Sequence, residues 1–267
     1  MIKFFVLTAA ILSLALYAAV NEQRVSASAV LSPQHGESDE RDFSEREEIR
    51  RQFQLSPGAQ VEVSSIKGPI EIETSNTSTA EVYIVRSART REELNFYRLV
   101  VEGTPASLRI RRESRDEEGR ARVRHRVMLR LPRQIQLTIQ SVNGRVRVGE
   151  IEGPVAIRSI NGSVNITHAT RFAEVTSVNG SVTLRLGRLE DRGIRLTSIN
   201  GAIDLRFTNE VNADLRVTSI NGSVDADLPN VSMSRMDRSN FRARIGSGGV
   251  PITVSSVNGS LQLRQGE

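Results

Sequence analysis

The stretch SVNGSVTL, residues 177–184, is one of six close copies of the pattern Ser-[Val/Ile]-Asn-Gly in this 267-residue chain. The six serines are Ser141, Ser159, Ser177, Ser198, Ser219 and Ser256, and the six asparagines are Asn143, Asn161, Asn179, Asn200, Asn221 and Asn258. Successive asparagines lie 18, 18, 21, 21 and 37 residues apart. A period near 20 residues is typical of solenoids, in which each repeat stacks on its neighbours.

Branched aliphatic residues keep fixed positions around each copy. Two residues before the serines stand Ile139, Ile157, Val175, Leu196, Val217 and Val254. Two residues after the glycines stand Val146, Val164, Val182, Ile203, Val224 and Leu261. Polar residues occupy most positions between these rows, as a strand with one buried face requires. Each copy is therefore predicted to be a strand, a corner at Asn-Gly and a second strand.

Two architectures fit this pattern. Asn-Gly between alternating strands is the strongest short hairpin signal, so a meander of antiparallel hairpins is one of them. A hairpin, however, gives no reason for a serine two residues before each asparagine. In stacked parallel coils, equivalent residues lie about 4.8 Å apart, so that Ser over Ser and Asn over Asn can form hydrogen-bonded ladders. We therefore predict an all-β parallel solenoid with a repeat of about 18–21 residues, in which these serines and asparagines are structural.

The remainder of the chain divides into segments. Residues 1–29 are predicted to be a signal peptide, because a charged start precedes an apolar run from Phe4 to Val20 and a small-residue cleavage site. The run is also long enough for an uncleaved N-terminal anchor. Residues 30–52 are highly charged and predicted to be a disordered tether. Residues 53–135 are predicted to be a β-rich cap region with one short helix opening at Thr90, and residues 136–267 the repeat solenoid. The long last interval suggests a decayed coil within residues 229–250.

Composition restricts the chemistry. The chain contains no Cys, which excludes disulfides, thiolate metal sites, a Cys nucleophile and a lipidated N-terminal Cys. Residues 30–119 contain 13 Lys+Arg against 18 Asp+Glu, whereas residues 120–267 contain 21 Arg, no Lys and 12 Asp+Glu. Arginine presents a planar fork that suits carboxylate, sulfate and phosphate. A basic exported surface could meet acidic glycans, lipid headgroups or extracellular DNA. The alternative is that arginine only keeps a β-rich surface soluble and its edges from pairing. The predicted partner is an acidic glycan or another polyanion of the cell envelope.

Two pairs of arginines are the candidate binding residues. Arg185 and Arg206 follow the second strand at one offset, and Arg195 and Arg216 precede the serine at another. If consecutive copies stack, each pair stands side by side and can hold a repeating anion. The alternative is that they form surface ion pairs with nearby carboxylates. Asp204 and Asp225 also share one position, which would suit at most a weak calcium contact.

No catalytic, metal-binding or cofactor-binding constellation is visible. The histidines His35, His125 and His168 are scattered, and neither HExxH nor G-x-S-x-G occurs. The basic region lacks interleaved aromatics, so no specific nucleic-acid binding is predicted. A protein partner or self-association stays open, and the membrane is expected to be contacted only through an uncleaved N-terminal segment. A β-helix enzyme acting on carbohydrate would need a cluster of acids and bases that the sequence does not show.

The order of these features resembles that of a known family. The stretches FQLSPGAQVEVSSIKGPIEI, HRVMLRLPRQIQLTIQSVNGRVRV and IGSGGVPITVSSVNGSLQL, together with the serial S-[VI]-N-G copies, are similar to bacterial envelope proteins labelled "putative adhesin". The resemblance covers about residues 50–264. It implies export, a right-handed parallel β-helix and no established enzyme activity. The chain is thus predicted to be periplasmic, surface-located or secreted, and to act as a rigid, non-catalytic binding or scaffold surface. The alternative is a self-assembling structural protein.

Overall fold

The computed structural model describes residues 43–114, 122–187, 189, 193–208, 211–228, 231–236 and 240–266. The described chain is almost entirely β-strand, with one short helix, α1 (Arg91–Phe96). The strands before the repeats are β1 (Glu45–Gln54), β2 (Ala59–Lys67), β3 (Ile70–Ser75), β4 (Thr79–Ala88), β5 (Tyr97–Thr104), β6 (Ser107–Ser114) and β7 (Arg124–Pro132). Those that follow are β8 (Ile135–Asn143), β9 (Val146–Ile151), β10 (Val155–Asn161), β11 (Val164–Ala169), β12 (Ala173–Asn179), β13 (Val182–Leu186), β14 (Ile194–Asn200), β15 (Ile203–Phe207), β16 (Ala213–Asn221), β17 (Val224–Asp227), β18 (Val231–Met236), β19 (Asn240–Ile245), β20 (Val250–Asn258) and β21 (Leu261–Gln265). The prediction of an all-β chain with one short helix is confirmed.

The strands form two long mixed sheets. The first sheet has ten strands in the order β1-β4-β7-β3-β9-β11-β13-β15-β21-β17. The second has eleven, in the order β18-β19-β16-β20-β14-β12-β10-β8-β2-β6-β5. Within the repeats the chain passes from the second sheet to the first at every Asn-Gly corner, so each repeat contributes one strand to each sheet.

Neighbouring repeats pair in parallel and in register. Asn179 lies opposite Asn161 on one side and Asn200 on the other, and Ser177 lies opposite Ser159 and Ser198. Val182 is likewise paired with both of its equivalents in the first sheet. The repeats are therefore not a meander of antiparallel hairpins.

The aliphatic rows fill the space between the two sheets. Along β8, β10, β12 and β14 up to the corner, alternate residues are buried and the intervening ones are half-buried or exposed, except for Val178, which is also buried. Most buried residues of the repeats and of the N-terminal strands belong to one continuous core, and Ala88, Leu94, Tyr97 and Val123 form a separate small cluster. Such a core stabilises each coil only when coils on both sides cover it, because a single coil cannot bury its own inner face.

The predicted boundary at residue 135 is not a break in the fold. β2 pairs in parallel with β8, and β3 pairs in parallel with β9. The corner between β2 and β3 is Lys67-Gly68, with Lys67 opposite Asn143. Residues 59–75 are thus a further coil of the same stack, in which Lys replaces Asn.

Part of the predicted disordered tether is an ordered strand. From Glu45 onwards the charged stretch is strand β1, which pairs antiparallel with β4 along its whole length. The pairing with β4 satisfies the backbone hydrogen-bonding groups of β1, and composition does not reveal such a pairing. The predicted signal peptide or anchor and residues 30–42 lie outside the described residues.

The expectation of a decayed coil within residues 229–250 is wrong. β18 and β19 form an antiparallel pair, and β19 lies antiparallel along the outer edge of β16. They extend the second sheet beyond its last repeat strand. A pair of antiparallel strands therefore occupies the place in the sequence where another Asn-Gly corner was expected.

The last repeat is inserted out of sequence order. β20 pairs with β14 on one side and with β16 on the other, and β21 likewise lies between β15 and β17. Ile245 and Val250 both lie opposite Ala213, on its two sides. The turn between them contains Gly246, Gly248 and Gly249, all with positive φ, and carries the chain around the start of β16. Asn212 and Asp214 accept hydrogen bonds from the backbone N–H groups of Ser247 and Gly249, at 2.9 and 3.1 Å.

The glycine column at the corners should be intolerant of side chains. Gly180 has φ +147°, and a Cβ there would overlap the backbone carbonyl of Gly162. We expect Gly180→Ala to lower the free energy of unfolding by roughly 2–4 kcal/mol, because a stacked backbone would have to move.

The matched control is Gly58→Ala. Gly58 also has positive φ, +81°, but a Cβ there would meet nothing within 4 Å. Its replacement should cost only about 1 kcal/mol of conformational strain. Denaturant unfolding measures both changes, and equal losses would show that strain alone, without the stacking contact, sets the requirement for glycine.

Candidate binding surface

A chain of asparagine side chains runs along the corner of the stack. Each Nδ2 donates to the Oδ1 of the asparagine before it in spatial order. The donor–acceptor pairs are Asn161 to Asn143 (2.8 Å), Asn179 to Asn161 (2.9 Å), Asn200 to Asn179 (2.9 Å), Asn258 to Asn200 (2.9 Å) and Asn221 to Asn258 (3.1 Å). The amides are thereby committed to one another, which gives them a structural role.

The serine column is buried but does not form a hydrogen-bonded ladder. All six serines are buried inside the corner, in register with one another. The Oγ of Ser177 donates weakly to the carbonyl of Gly180 at 3.5 Å, and the other five Oγ atoms have no hydrogen-bond partner among the described residues. The expected Ser-to-Ser bonds are therefore absent. Serine instead supplies a small buried side chain on the inner side of the corner.

Removing an amide from the middle of the asparagine chain should cost more than removing one from its end. Asn179 makes two side-chain hydrogen bonds within this chain, whereas Asn221 makes one. At about 0.5–1.5 kcal/mol for each bond, we expect Asn179→Ala to lower the free energy of unfolding by about 1–3 kcal/mol and Asn221→Ala by half of that. Urea unfolding of the two variants tests this, and no loss in Asn179→Ala would contradict the structural role.

The first arginine pair lies side by side, and a third arginine extends it. Arg185 pairs across neighbouring strands with Arg206, and Arg206 pairs with Arg264 of the inserted coil. Arg206 donates from Nε and Nη2 to Oδ2 of Asp204, at 3.0 and 2.9 Å, and Arg264 lies opposite Asp227. Carboxylates of the same face therefore offset much of this positive charge.

The second arginine pair is not adjacent, contrary to the sequence prediction. Arg195 and Arg216 each lie opposite Thr253, because β20 separates their strands. Arg216 instead lies beside Arg242 of β19. All three arginines are exposed on the outer face of the second sheet. Sequence reasoning missed Arg242 and Arg264 because it assumed that copies stack in the order in which they are written.

The predicted carboxylate pair is also separated. Gln262 of the inserted coil lies between Asp204 and Asp225. Asp204 is bound to Arg206, so these residues do not form a shared calcium contact. Among the residues that the structure describes, no group of three or more His, Asp or Glu side chains could hold a metal ion.

A buried arginine ties the N-terminal strands to the helix. Arg86 is only 4% exposed, and its guanidinium donates to the backbone carbonyls of Leu94 and Tyr97 at the end of α1. Its Nη1 lies 2.8 Å from Oε2 of Glu47 in β1. The alternation of β4 could have revealed this position, since Ile84 and Ala88 on the same face are also buried.

His125 lies directly opposite Arg86 and is 3% exposed. Burial, helped by the nearby cations of Arg86, Arg112 and Lys67 and opposed by a hydrogen bond with the backbone of Lys67, lowers the pKa of His125 to about 4. The imidazole is therefore neutral in the folded protein at neutral pH. His168 lies in a different strand, β11, so the two described histidines form no site together.

The stability of the protein should fall on acidification through the titration of His125. The unfolded chain takes up this proton near pH 6.5 and the folded chain only near pH 4, so stability is complete above pH 6.5 and lost as the pH falls toward 4. We expect a loss of up to about 1.4 kcal/mol per pH unit in this window. His125→Gln should remove that component, and a variant with the same pH dependence as the natural chain would contradict the assignment.

Comparisons with known proteins agree with an all-β repeat fold. No described helix has the length and apolar character needed to cross a membrane. Residues 134–264 match the family described as Toastrack DUF4097. No curated protein matches the chain.

Solved structures of low identity are also similar. A "putative cell adhesion protein" from Clostridium sporogenes is 9% identical, covers 83% of this chain and 100% of its own, and has a TM-score of 0.44. A "putative adhesin" from Bacteroides fragilis is 8% identical, covers 81% of this chain and 96% of its own, with a TM-score of 0.33. A "putative lipid binding protein" from Parabacteroides distasonis is 12% identical, with coverages of 81% and 96% and a TM-score of 0.24.

Proposed function

Since residues 134–264 match the family described as Toastrack DUF4097, we propose that this chain is an exported, non-catalytic protein that presents a rigid binding surface at the bacterial cell envelope. The observation that carries the proposal is the in-register stack of parallel coils, closed along one corner by hydrogen-bonded asparagines. Such a stack fixes the spacing of every outward side chain, which is what recognition of an extended partner requires.

The winding of the stack is part of the proposal. Connections between parallel strands are right-handed in nearly all proteins, because a twisted strand returns to its sheet most easily that way. We take the coils to form a right-handed β-helix for this reason. The winding leaves the outward rows of both sheets continuous and accessible.

Export is supported by the beginning of the sequence. Lys3 is followed by an apolar run to Val20, and small residues follow at Ala27-Ser28-Ala29. This arrangement is that of a secretory signal. The partner that best suits an arginine-bearing surface in that location is an envelope polyanion, and an acidic glycan is the first choice.

Self-assembly is a second candidate, favoured by one end of the stack. Strand β17 has four residues and forms the edge of the first sheet, and Ile220 beside that corner is 64% exposed. An open edge is a site at which another strand can pair. Asp225 and Asp227 on this short edge oppose such pairing, so the binding role is preferred.

Cell fractionation tests the proposed function. We expect the full chain, expressed in a bacterium, to be recovered outside the cytoplasm and to bind isolated envelope material. The Leu14→Arg variant, with a charge in the apolar run, should remain in the cytoplasm. N-terminal sequencing distinguishes cleavage from anchoring. A natural chain that stays in the cytoplasm and does not bind envelope material would refute the proposal.

A further inference from the structure

One line of side chains on the outer face of the second sheet carries positive charge across four neighbouring strands. We call it the basic row: Arg195 in β14, Thr253 in β20, Arg216 in β16 and Arg242 in β19, each lying opposite the next. The three arginines are exposed, and Thr253 is half-buried. The row exists only because the inserted coil and the β18–β19 pair bring these strands together.

Two arginines of the basic row, Arg195 and Arg216, form no ion pair with another described residue, although the half-buried Glu174 lies opposite Arg195 in β12. The carboxylate nearest in sequence, Asp214, is already bound to the backbone of Gly249 at 3.1 Å and to Nε of Arg244 at 3.2 Å. The hydrogen bond from the backbone of Gly249 has the largest effect in lowering the pKa of Asp214, and the bond from Arg244 adds to it. On the first sheet, by contrast, Arg206 is bound to Asp204.

A second line of side chains, parallel to the basic row, presents hydroxyl and amide groups. It consists of Thr197, Ser255, Thr218 and Asn240. The first three follow the basic-row residue of their own strand by two positions, and Asn240 precedes Arg242 by two because β19 is antiparallel. The two lines are therefore roughly 7 Å apart, the length of two strand residues. An anion held on the basic row would place its neighbouring hydroxyl groups over this line.

The face is poor in exposed apolar side chains. In β14, β20, β16 and β19 the only exposed large apolar residue is Ile220, at the end of its strand. A membrane-inserting surface needs a larger apolar area, and a surface for single-stranded nucleic acid needs aromatic side chains on which bases stack. A ligand with both anionic groups and many hydroxyls fits these two lines best.

We propose that the basic row binds a linear acidic glycan whose axis runs across the strands, along the direction in which the coils stack. Adjacent strands lie about 4.8 Å apart, so Arg195 and Arg216 are separated by about 10 Å and Arg216 and Arg242 by about 5 Å. Carboxylate or sulfate groups along the glycan meet successive guanidinium groups, and sugar hydroxyls meet Thr197, Ser255 and Thr218. This inference rests on the proposed binding role and identifies its partner and surface.

Glu174 provides a further test of the proposal, because it places a carboxylate next to the end of the basic row. It lies opposite Arg195 on the side away from Thr253 and is half-buried. Its carboxylate would repel an anionic ligand extending past Arg195. Glu174→Gln should therefore strengthen binding, an effect that a general loss of structure could not produce.

The experiment measures binding of the full chain to alginate, which carries carboxylates, and to heparin, which also carries sulfates. The test variant is Arg195→Ser/Arg216→Ser. The control is Arg185→Ser/Arg264→Ser, which removes the same charge from the first sheet. We expect the test variant to weaken binding at least about tenfold and the control less than about threefold, with binding that falls as salt is raised. Preference for one glycan tells which anionic group is recognised.

Three results would overturn the inference: no binding of the natural chain to either glycan, equal losses in the two double variants, or no loss in the test variant. Circular dichroism of each variant shows whether it is folded, and Glu174→Gln gives an independent readout if one is not. If the exported chain binds envelope material but neither glycan, the proposed function stands and this partner is wrong. If it is neither exported nor bound to envelope material, the proposed function itself fails.

Discussion

Contact between successive coils at the Asn-Gly corner is the constraint on which the rest of the structure depends. The side-chain amides donate in one direction along the stack, and the glycine N–H groups donate in the other, for example Gly180 to the carbonyl of Asn200 at 3.0 Å. Glycine is required because the backbone of the preceding coil occupies the space of a Cβ. Once the corner is in register, the strands on both sides of it are in register as well, since a slip of one residue would turn every buried side chain outward.

A corner that is identical in every coil does not specify the order of the coils. Any coil can stack on any other, so position along the stack must be decided elsewhere. Here β19 covers the outer edge of β16, and the short glycine-rich turn after Ile245 returns the chain to the inner edge of the same strand. The last repeat is thereby placed between two repeats that are consecutive in sequence. The proposed binding surface follows from this arrangement, because it separates Arg195 from Arg216 and adds Arg242.

The features that sequence could predict are those repeated in each coil. The aliphatic rows, the strand–corner–strand unit and the parallel register follow from periodicity, and the helix start follows from Thr90, whose side chain accepts from the N–H of Glu93. Structural features that occur only once in the chain could not be predicted from periodicity. Strand β1 depends on its pairing with β4 rather than on an apolar pattern, and the corner at Lys67-Gly68 lacks the asparagine that marked the others. The serines lie inside the corner, but the predicted bonds between their hydroxyls do not form. Repeat spacing shows which residues are neighbours in the stack, and it does not show where their hydroxyls point.

The order of the coils can be measured directly with paired cysteines, because the chain has no Cys of its own. Thr197 and Ser255 lie opposite each other in neighbouring strands, whereas Thr197 and Thr218 have a strand between them. A disulfide needs Cα atoms about 4.4–6.8 Å apart. We predict that Thr197→Cys/Ser255→Cys forms an intramolecular disulfide on mild oxidation and that Thr197→Cys/Thr218→Cys does not. Cross-linking of the second pair but not the first would contradict the inserted coil and the binding surface built on it.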